Sequence, residues 1–344
     1  MRVLNFFSRM HPVSEPGYKP VARQYWEMLW LAARHRLSPT EYYLYQLGRR
    51  DMNFRQLRDY IITAFAVKKL RPRLNPRMWE VVLRNKALFH SHMSQKGLPV
   101  AKLYGIFHPG FGNDNAGNPL HTPEQLHPLV EQRGCVVLKP LGGLKGQQIM
   151  VLRAGEQLTP EQKQSLLAGA GFLVEEHLQN VPELAQINPD SLNTCRVVTF
   201  LGSDGQVQIL FATARFGRKG QNTDNWSAGG IAAGVDVNSG RLGPGLLLPQ
   251  FGGGWHQRHP DSGICFTETV IPDWQAVREL AEKAALSLPW CRAIGWDIAV
   301  TPGGAVLVEG NGQWNPALGQ AFVGGLLTPE LRRELTACGL RFPA

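Results

Sequence analysis

The alternation of hydrophobic and polar positions changes period along the chain, and its first quarter has the helical period. Residues 25–37 have the length of a helix and contain no breaker. The sequence SPTE at residues 38–41 is a capping box with proline at the first helical position, so a second helix should follow it. Apolar residues at helical spacing predict a third helix over residues 54–70. We therefore expect an all-helical N-terminal region.

Beyond residue 84 most of the pattern is typical of strands. Helices are still expected over residues 84–96, 159–168 and 274–288. Between them, short apolar runs are separated by turns rich in glycine, asparagine and proline. The predicted strands lie at about residues 100–107, 135–139, 147–152, 172–178, 197–201, 206–214, 294–300 and 305–311. This order of elements predicts an α+β protein.

The hairpin predicted over residues 293–316 is the stretch around which the chain is organised. Its turn is TPGG, and Glu309 and Asn311 lie two residues apart, so they share one face of a strand. A five-residue loop would place Asp297 opposite Glu309 on that face. Two carboxylates and an amide suit a hard cation such as Mg²⁺ with phosphate ligands. An ordinary hairpin with polar residues at an exposed end is the alternative interpretation.

A second candidate site is the lysine and glycine stretch that begins at Lys139. This charge interrupts an apolar run, which is costly unless an anion pairs with it. The glycines that follow, Gly142, Gly143 and Gly146, allow backbone N–H groups to approach phosphate oxygens, and Lys145 lies among them. The GxxxxGK[ST] phosphate-binding pattern is absent. A plain hairpin turn is the alternative, although the neighbouring lysines favour phosphate.

Composition excludes several classes of protein. The 344 residues suffice for two or three lobes, and no run of 18 apolar residues is present to span a membrane. The five cysteines are scattered without metal-ligand spacing, which is typical of reduced, cytosolic residues. No RNP motif, zinc finger or heptad array is present, so we expect no nucleic-acid partner. We therefore expect a cytoplasmic globular protein.

The net charge of +9 is concentrated at the N-terminus. Residues 1–85 hold 16 Lys and Arg against 6 Asp and Glu, whereas residues 86–344 hold 20 against 21. The basic side chains of the predicted helices could form a face for phospholipid or for an acidic partner, which would make the protein membrane-peripheral. Charge runs more often form a solvated helix face. The residues concerned are Arg49, Arg50, Arg55, Arg58, Lys68, Lys69, Arg71 and Arg73.

The order of these motifs resembles the ATP-grasp superfamily over residues 80–325. A strand that contains a lysine is followed by a glycine-rich loop, by a pair of adjacent glutamates and by a strand with asparagine and arginine at its start. The last motif is an aspartate followed later by Glu-x-Asn. Residues 194–196, 212–230 and 295–316 are most similar to the RimK-like ligases. With its tyrosine-rich helical front end, the chain resembles the sugar-transfer-associated ATP-grasp branch. The resemblance implies two sheet-containing lobes that clasp ATP, with segments at residues 1–84 (basic, helical), 85–130, 131–178 (lid) and 179–344 (C-terminal lobe).

The resemblance also implies roles for individual residues. Lys86 and Lys139 would bind nucleotide phosphates. Arg196 and Arg218 would face the transferred phosphate or an acyl-phosphate, with Arg215 and Asn225 nearby. Asp297, Glu309 and Asn311 would hold Mg²⁺, with Mn²⁺ as a substitute. The remaining nucleotide contacts would come from a mobile loop (Gly142, Gly143, Lys145 and Gly146), an adenine hinge (Glu175, Glu176, His177 and Leu178) and a ribose contact (Glu183).

The implied activity is ATP-dependent ligation of a carboxylate to an amine through an acyl-phosphate. The substrates would be small molecules, peptides or glycan-linked groups. A kinase-like phosphotransferase and a non-catalytic nucleotide-binding scaffold are the alternatives. The chain departs from the family pattern in two ways, and both concern the identity of the substrates. The front end is helical where many relatives have an α/β domain, and the metal motif ends in GNGQWNP where VNxxPG is more common.

Overall fold

The computed structural model describes residues 6–142, 149–169 and 171–342. Two antiparallel sheets and a set of mostly short helices make up this part of the chain, which confirms the α+β prediction. Three residues of the predicted phosphate loop, Gly143, Lys145 and Gly146, lie outside the described residues. No helix among the described residues is long and apolar enough to cross a membrane.

Most helices lie before the first strand or after the last, and the others connect strands. Side-chain caps begin several of them, including the predicted capping box of Ser38 and Glu41 and the Asn85 cap of the helix that follows it. The α-helices are α1 (Val21–His35), α2 (Pro39–Leu44), α3 (Thr63–Phe65), α4 (Arg71–Leu74), α5 (Arg77–Arg84), α6 (Lys86–Gln95), α7 (His127–Arg133), α8 (Pro160–Leu167), α9 (Pro182–Ala185), α10 (Trp274–Ser287), α11 (Pro316–Val323) and α12 (Pro329–Ala337).

The smaller sheet has five strands in the order β2-β1-β5-β3-β4. Its core contains Phe107, Leu138 and Phe172, which are fully buried. The sheet takes strands from both predicted segments, 85–130 and 131–178. The strands are β1 (Leu103–Phe107), β2 (Asn113–Asp114), β3 (Cys135–Pro140), β4 (Met150–Arg153) and β5 (Phe172–Glu176).

The larger sheet has seven strands in the order β10-β9-β8-β7-β6-β11-β12, all antiparallel. It places the predicted hairpin beside the strand that begins at Thr194. The strands are β6 (Thr194–Leu201), β7 (Val207–Phe216), β8 (Ile231–Val235), β9 (Leu242–Leu246), β10 (Trp255–His256), β11 (Ala293–Thr301) and β12 (Gly304–Asn311).

The prediction of one helix over residues 54–70 is wrong in its middle. A 3₁₀ helix covers Phe54–Asp59, the chain becomes extended at Tyr60, and helical structure resumes at Thr63. The break has a tertiary cause, because the amide of Gln320 accepts a hydrogen bond from Ile61 N at 2.7 Å and donates one to Ile61 O at 3.0 Å. The basic residues of this stretch therefore lie on separate elements and do not form one helix face.

The hairpin prediction is confirmed, but its loop differs from the expected one. Thr301 pairs with Gly304, so only two residues make the turn. A β-bulge between Asp297 and Ile298 then shifts the register by one residue, and Asp297 pairs with Glu309 after all. Without the bulge, the two carboxylates would lie on opposite faces of the ladder.

The two faces of the large sheet are covered differently. Helix α10 packs on one face, against a core that includes Trp296 and Ile298. Helices α1, α2, α11 and α12 cover much of the other face, where Ala232 and Leu246 join the core of the N-terminal region. The N-terminal helices thus share a core with the large sheet and are not a separate appendage.

The amide of Gln320 joins the N-terminal region to α11, so we expect its removal to be costly. It is buried and also contacts Tyr45 Oη at 3.0 Å and Leu326 N at 3.3 Å. Gln320→Ala should lower the free energy of unfolding by about 2–4 kcal/mol, because it leaves buried backbone groups unpaired. Urea denaturation measures this loss. Gln275→Ala, which removes an exposed glutamine from α10, is the control and should change stability by less than about 0.5 kcal/mol; equal effects would contradict the account.

Candidate active site

Asp297 is the centre of a row of polar side chains on the large sheet. Its backbone pairs with Arg196 on one side and with Glu309 on the other. The Arg196 guanidinium binds both carboxylate oxygens of Asp297, with Nη2 2.8 Å from Oδ2. Arg215 Nη2 lies 2.9 Å from the same Oδ2. One buried carboxylate therefore holds two guanidinium groups that come from neighbouring strands.

Gly295 gives the Arg196 side chain the space to lie along the sheet. Gly295 lies two residues before Asp297, on the same face of the strand, and it pairs with Asn311. A Cβ atom at this position would lie 3.0 Å from both Arg196 Cδ and Trp314 Cβ, closer than side-chain atoms normally pack. The Arg196 side chain thus passes over strand β11 at Gly295, which has no side chain to block it.

Asp224 forms the second acidic contact of the row, and sequence analysis missed it. It accepts a hydrogen bond from Thr194 N at 3.0 Å and lies 3.6 Å from Arg215 Nη2. Arg215 also donates to Thr194 Oγ1 at 2.6 Å, while its Nε has no hydrogen-bond partner among the described residues. The available signal was charge balance, since an arginine within the apolar run FATARF needs an acidic partner.

Burial and charge set the protonation of these groups. Burial alone would raise the pKa of the Asp297 carboxyl, but Arg196 and Arg215 lower that pKa below its ordinary value. Burial raises the pKa of Glu309, and the negative charge of Asp297 raises it further; the charges of Lys86, Arg196 and Arg215 oppose this shift. Burial also raises the pKa of Asp224, which Arg215 only partly offsets.

Lys139 has an anionic partner in the protein, so its charge within an apolar run does not by itself require a phosphate. Its Nζ lies 2.7 Å from Glu175 Oε2, and both side chains are largely buried. The pair arises because Lys139 is opposite Leu173 in the β3–β5 ladder, one diagonal step from Glu175. That Glu175 oxygen accepts no hydrogen bond of good geometry, so the pairing is electrostatic.

The polar row lies on the wall of a cavity of about 1380 Å³ that residues of both sheets line. The lining contains ten residues that the sequence singled out: Lys139, Glu176, His177, Leu178, Arg196, Arg215, Asn225, Asp297, Glu309 and Asn311. The lining does not include Lys86, Gly142, Glu175, Glu183 or Arg218. Burial, followed by the nearby positive charge of Arg153, lowers the pKa of His177.

Arg218 lies apart from the other two arginines of its predicted group. Its guanidinium makes two hydrogen bonds to Asp261, at 2.7 and 3.0 Å, and this contact lowers the pKa of Asp261 to about 2. Of the three arginines expected around the transferred phosphate, Arg196 and Arg215 therefore lie together and Arg218 does not.

The N-terminal helical region forms part of the cavity wall, which the sequence did not indicate. Ser38 and Glu41 bind one another through the capping box, and Glu41 also accepts a hydrogen bond from Thr63 N at 2.7 Å. The wall residues from this region are Arg9, Ser38, Thr40, Glu41, Leu44 and Thr63. This end of the cavity carries three hydroxyl side chains (Ser38, Thr40 and Thr63) together with Arg9 and Glu41.

The side chains around Glu309 include the oxygen donors that a hard cation prefers, although both Asp297 oxygens are bound to arginine in this structure. Glu309 and Asp297 lie opposite each other in the ladder, and burial followed by the negative charge of Asp297 raises the pKa of Glu309, so a cation beside Glu309 would stabilise its ionised form. Asn311 lies on the same face and supplies a neutral oxygen. No group of three His, Cys, Asp or Glu side chains suited to a metal occurs within the described ranges. Asp297, Glu309 and Asn311 remain the residues predicted to hold a hard cation.

Two sheets, with a cavity between them and this polar row on its wall, define an ATP-grasp protein. The chain belongs to the family described as sugar-transfer associated ATP-grasp, whose family model matches residues 66–333. No curated protein matches the chain in sequence.

Several solved structures are similar in fold. Biotin carboxylase from Campylobacter jejuni has 14% identity and a TM-score of 0.47, over 77% of this chain and 48% of that one. An L-amino acid ligase from Bacillus licheniformis has 13% identity and a TM-score of 0.44, over 75% of this chain and 48% of that one. The chain thus spans about half the length of these proteins.

The two carboxylates should differ in their effect on stability in metal-free buffer. Asp297→Asn should lower the free energy of unfolding by about 3–5 kcal/mol at neutral pH, because two arginines lose a buried partner. Glu309→Gln should leave stability unchanged or raise it, because burial disfavours the ionised glutamate. Urea denaturation of each variant against wild type measures both effects.

The pH dependence gives a second test of this difference. The lowered pKa of Asp297 means that its stabilising effect is present above its unfolded pKa and is lost as the pH falls. The raised pKa of Glu309 means that wild type loses stability as the pH rises from about 4.3 through the folded pKa. The cost of Asp297→Asn should therefore shrink in acid, and any gain from Glu309→Gln should grow with pH. The opposite slopes would contradict the assignment.

Proposed function

We propose that the protein is an ATP- and Mg²⁺-dependent ligase that joins a carboxylate to an amine through an acyl-phosphate. The observation that carries the proposal is the pair of guanidinium groups on Asp297, on the same cavity wall as Glu309 and Asn311. Two fixed guanidiniums suit a transferred phosphate and an adjacent oxyanion. The sequence resemblance of residues 212–230 and 295–316 to RimK-like ligases supports the same chemistry.

Nucleotide would occupy the part of the cavity between the sheets. Lys139 would turn from Glu175 to the phosphates, and the backbone of residues 175–178 would contact adenine. Asp297, Glu309 and Asn311 would hold Mg²⁺, or Mn²⁺ in its place, and the ion would neutralise phosphate charge. Lys86 acts electrostatically on Glu309 and is proposed to add positive charge on the phosphate side.

The reaction has two steps. An oxygen of the substrate carboxylate forms a bond to the γ-phosphorus of ATP while the bond from that phosphorus to the β-phosphate oxygen breaks, and ADP leaves. The amine nitrogen then forms a bond to the activated carbonyl carbon, phosphate leaves, and the nitrogen loses a proton. Arg196 and Arg215 would hold the phosphate group in both steps, with Asn225 on the same cavity wall. Arg218 would take part only if its ion pair with Asp261 opens.

The acceptor would lie at the end of the cavity lined by the N-terminal region. Thr40 and Thr63 of that region line the cavity together with Asn225 and Asn315. Hydroxyl and amide groups bind neutral polar substrates by hydrogen bonds. A small-molecule, peptide or glycan-linked substrate suits this lining, which gives the helical front end the substrate-binding role that an α/β domain has in many relatives.

A hydroxylamine trap distinguishes this ligase from a kinase on the same scaffold. An acyl-phosphate is an electrophile and reacts with hydroxylamine to a hydroxamate, whereas a phosphate ester does not. A panel of amino acids, dipeptides and uronic acids should therefore be incubated with ATP, Mg²⁺ and hydroxylamine, and the products identified by mass spectrometry. We expect a hydroxamate to form with the correct acid in the absence of the natural amine.

Arginine variants link this result to the site. Arg196→Lys and Arg215→Lys keep the positive charge but lose the paired N–H donors, so hydroxamate formation should fall by about 10²-fold or more. Arg241→Lys alters an exposed arginine outside the cavity and is the matched control. A stable phosphorylated product without hydroxamate would replace the ligase by a kinase. Neither product, together with retained ATP binding, would leave the non-catalytic nucleotide-binding scaffold.

A further inference from the structure

Helix α1 buries Gln24, Glu27, Met28 and Leu31 and exposes several large apolar side chains. The exposed fractions are 61% for Trp26, 44% for Leu29, 41% for Tyr25 and 39% for Trp30. We call these four residues the aromatic face. Large apolar side chains scattered singly on a surface are ordinary, but four of them on one helix form a continuous patch. Such a patch indicates a contact surface.

The opposite side of the helix is buried: Met28 and Leu31 join the hydrophobic core, and the two polar side chains on this side, Gln24 and Glu27, are hydrogen-bonded. Glu27 is 1% exposed and binds Lys19 Nζ at 3.1 Å, Arg23 Nε at 2.9 Å and Tyr42 Oη at 2.7 Å. Gln24 is equally buried and donates to Val13 O and Lys19 O. These contacts fix the rotation of α1, so the aromatic face must point away from the core.

The aromatic rings of the face form a continuous stack. Trp26 and Trp30 lie 6.2 Å apart with ring planes 13° from parallel, and Trp30 lies 5.8 Å from Phe54 on the neighbouring 3₁₀ helix. Tryptophan and tyrosine are the side chains enriched where protein meets the interfacial region of a bilayer, because their rings are apolar and their N–H and O–H groups are polar.

The charges around the aromatic face are positive. Arg23, Arg34 and Arg55 are exposed on α1 or beside Phe54. The only acid in residues 21–36 is Glu27, which is buried and paired, so no exposed carboxylate of the helix opposes an anion. The first 85 residues also carry the excess of 16 basic over 6 acidic residues. An apolar face with basic neighbours matches an anionic bilayer, which attracts arginine and admits tryptophan.

We propose that the aromatic face of α1 docks the protein onto an anionic lipid surface. Trp26 and Trp30 enter the interfacial region, and Arg23, Arg34 and Arg55 lie at the level of the lipid phosphates. The helix lies in the plane of the surface and does not span it. This inference is independent of the ligase reaction.

Vesicle binding of the full chain tests the proposal. Wild type should sediment with phosphatidylcholine vesicles that contain phosphatidylserine, and less with phosphatidylcholine alone. Its tryptophan emission should shift to shorter wavelength on binding. Trp26→Ser/Trp30→Ser should weaken binding by roughly tenfold or more, because most of the buried apolar surface is lost. Arg34→Gln/Arg55→Gln should weaken binding to the anionic vesicles only, and salt should weaken binding of wild type.

Phe111→Ser is the matched control. Phe111 is 65% exposed on the small-sheet side of the molecule, so its loss removes similar exposed aromatic surface elsewhere. Thermal unfolding verifies that each variant is folded. No sedimentation of wild type at low salt would overturn the proposal, as would equal losses in Phe111→Ser and Trp26→Ser/Trp30→Ser. Self-association that Trp26→Ser/Trp30→Ser abolishes, without vesicle binding, would overturn it and assign the face to a second copy of the chain.

Discussion

The ion pairs of Asp297 with Arg196 and Arg215 are the interaction on which the site depends. A carboxylate with so little exposure stays ionised only because two guanidiniums face it, and those guanidiniums need its charge in return. The pairs join three adjacent strands, and Gly295 leaves space for the Arg196 side chain. The cluster places both guanidinium groups on the cavity wall, and the bulge beside Asp297 brings Glu309 opposite that carboxylate.

The second constraint is the packing of helices on the face of the large sheet that carries the polar row. Helices of the N-terminal region and of the C-terminus bury most of that face, and the polar row occupies the part that they leave open. Gln320 joins the two groups of helices through Ile61 and Tyr45. The cavity therefore has one wall from the small sheet, one from the large sheet and one from the N-terminal region, and chemistry and substrate access are coupled through this packing.

Local patterns predicted most elements and the members of the polar row, whereas tertiary contacts decided the rest. Strand periodicity placed Glu309 and Asn311 on one face, but the bulge that completes the pairing with Asp297 has no signal in the sequence. The break near Ile61 depends on Gln320, which lies far along the chain. The Lys139–Glu175 pair follows from a strand register that composition does not encode. Asp224 was recoverable in principle, because the buried charge of Arg215 requires a partner.

The central claim is that Asp297, Glu309 and Asn311 hold the metal that accompanies the nucleotide. Calorimetric titration of ATP into wild type and into Glu309→Gln, each with and without Mg²⁺, tests it most directly. Glutamine keeps the shape of the side chain and removes one metal-binding charge, so the fold is retained while the metal site weakens. We predict that Mg²⁺ tightens ATP binding to wild type and has little effect on Glu309→Gln. Full Mg²⁺-dependent affinity in Glu309→Gln would contradict the assignment.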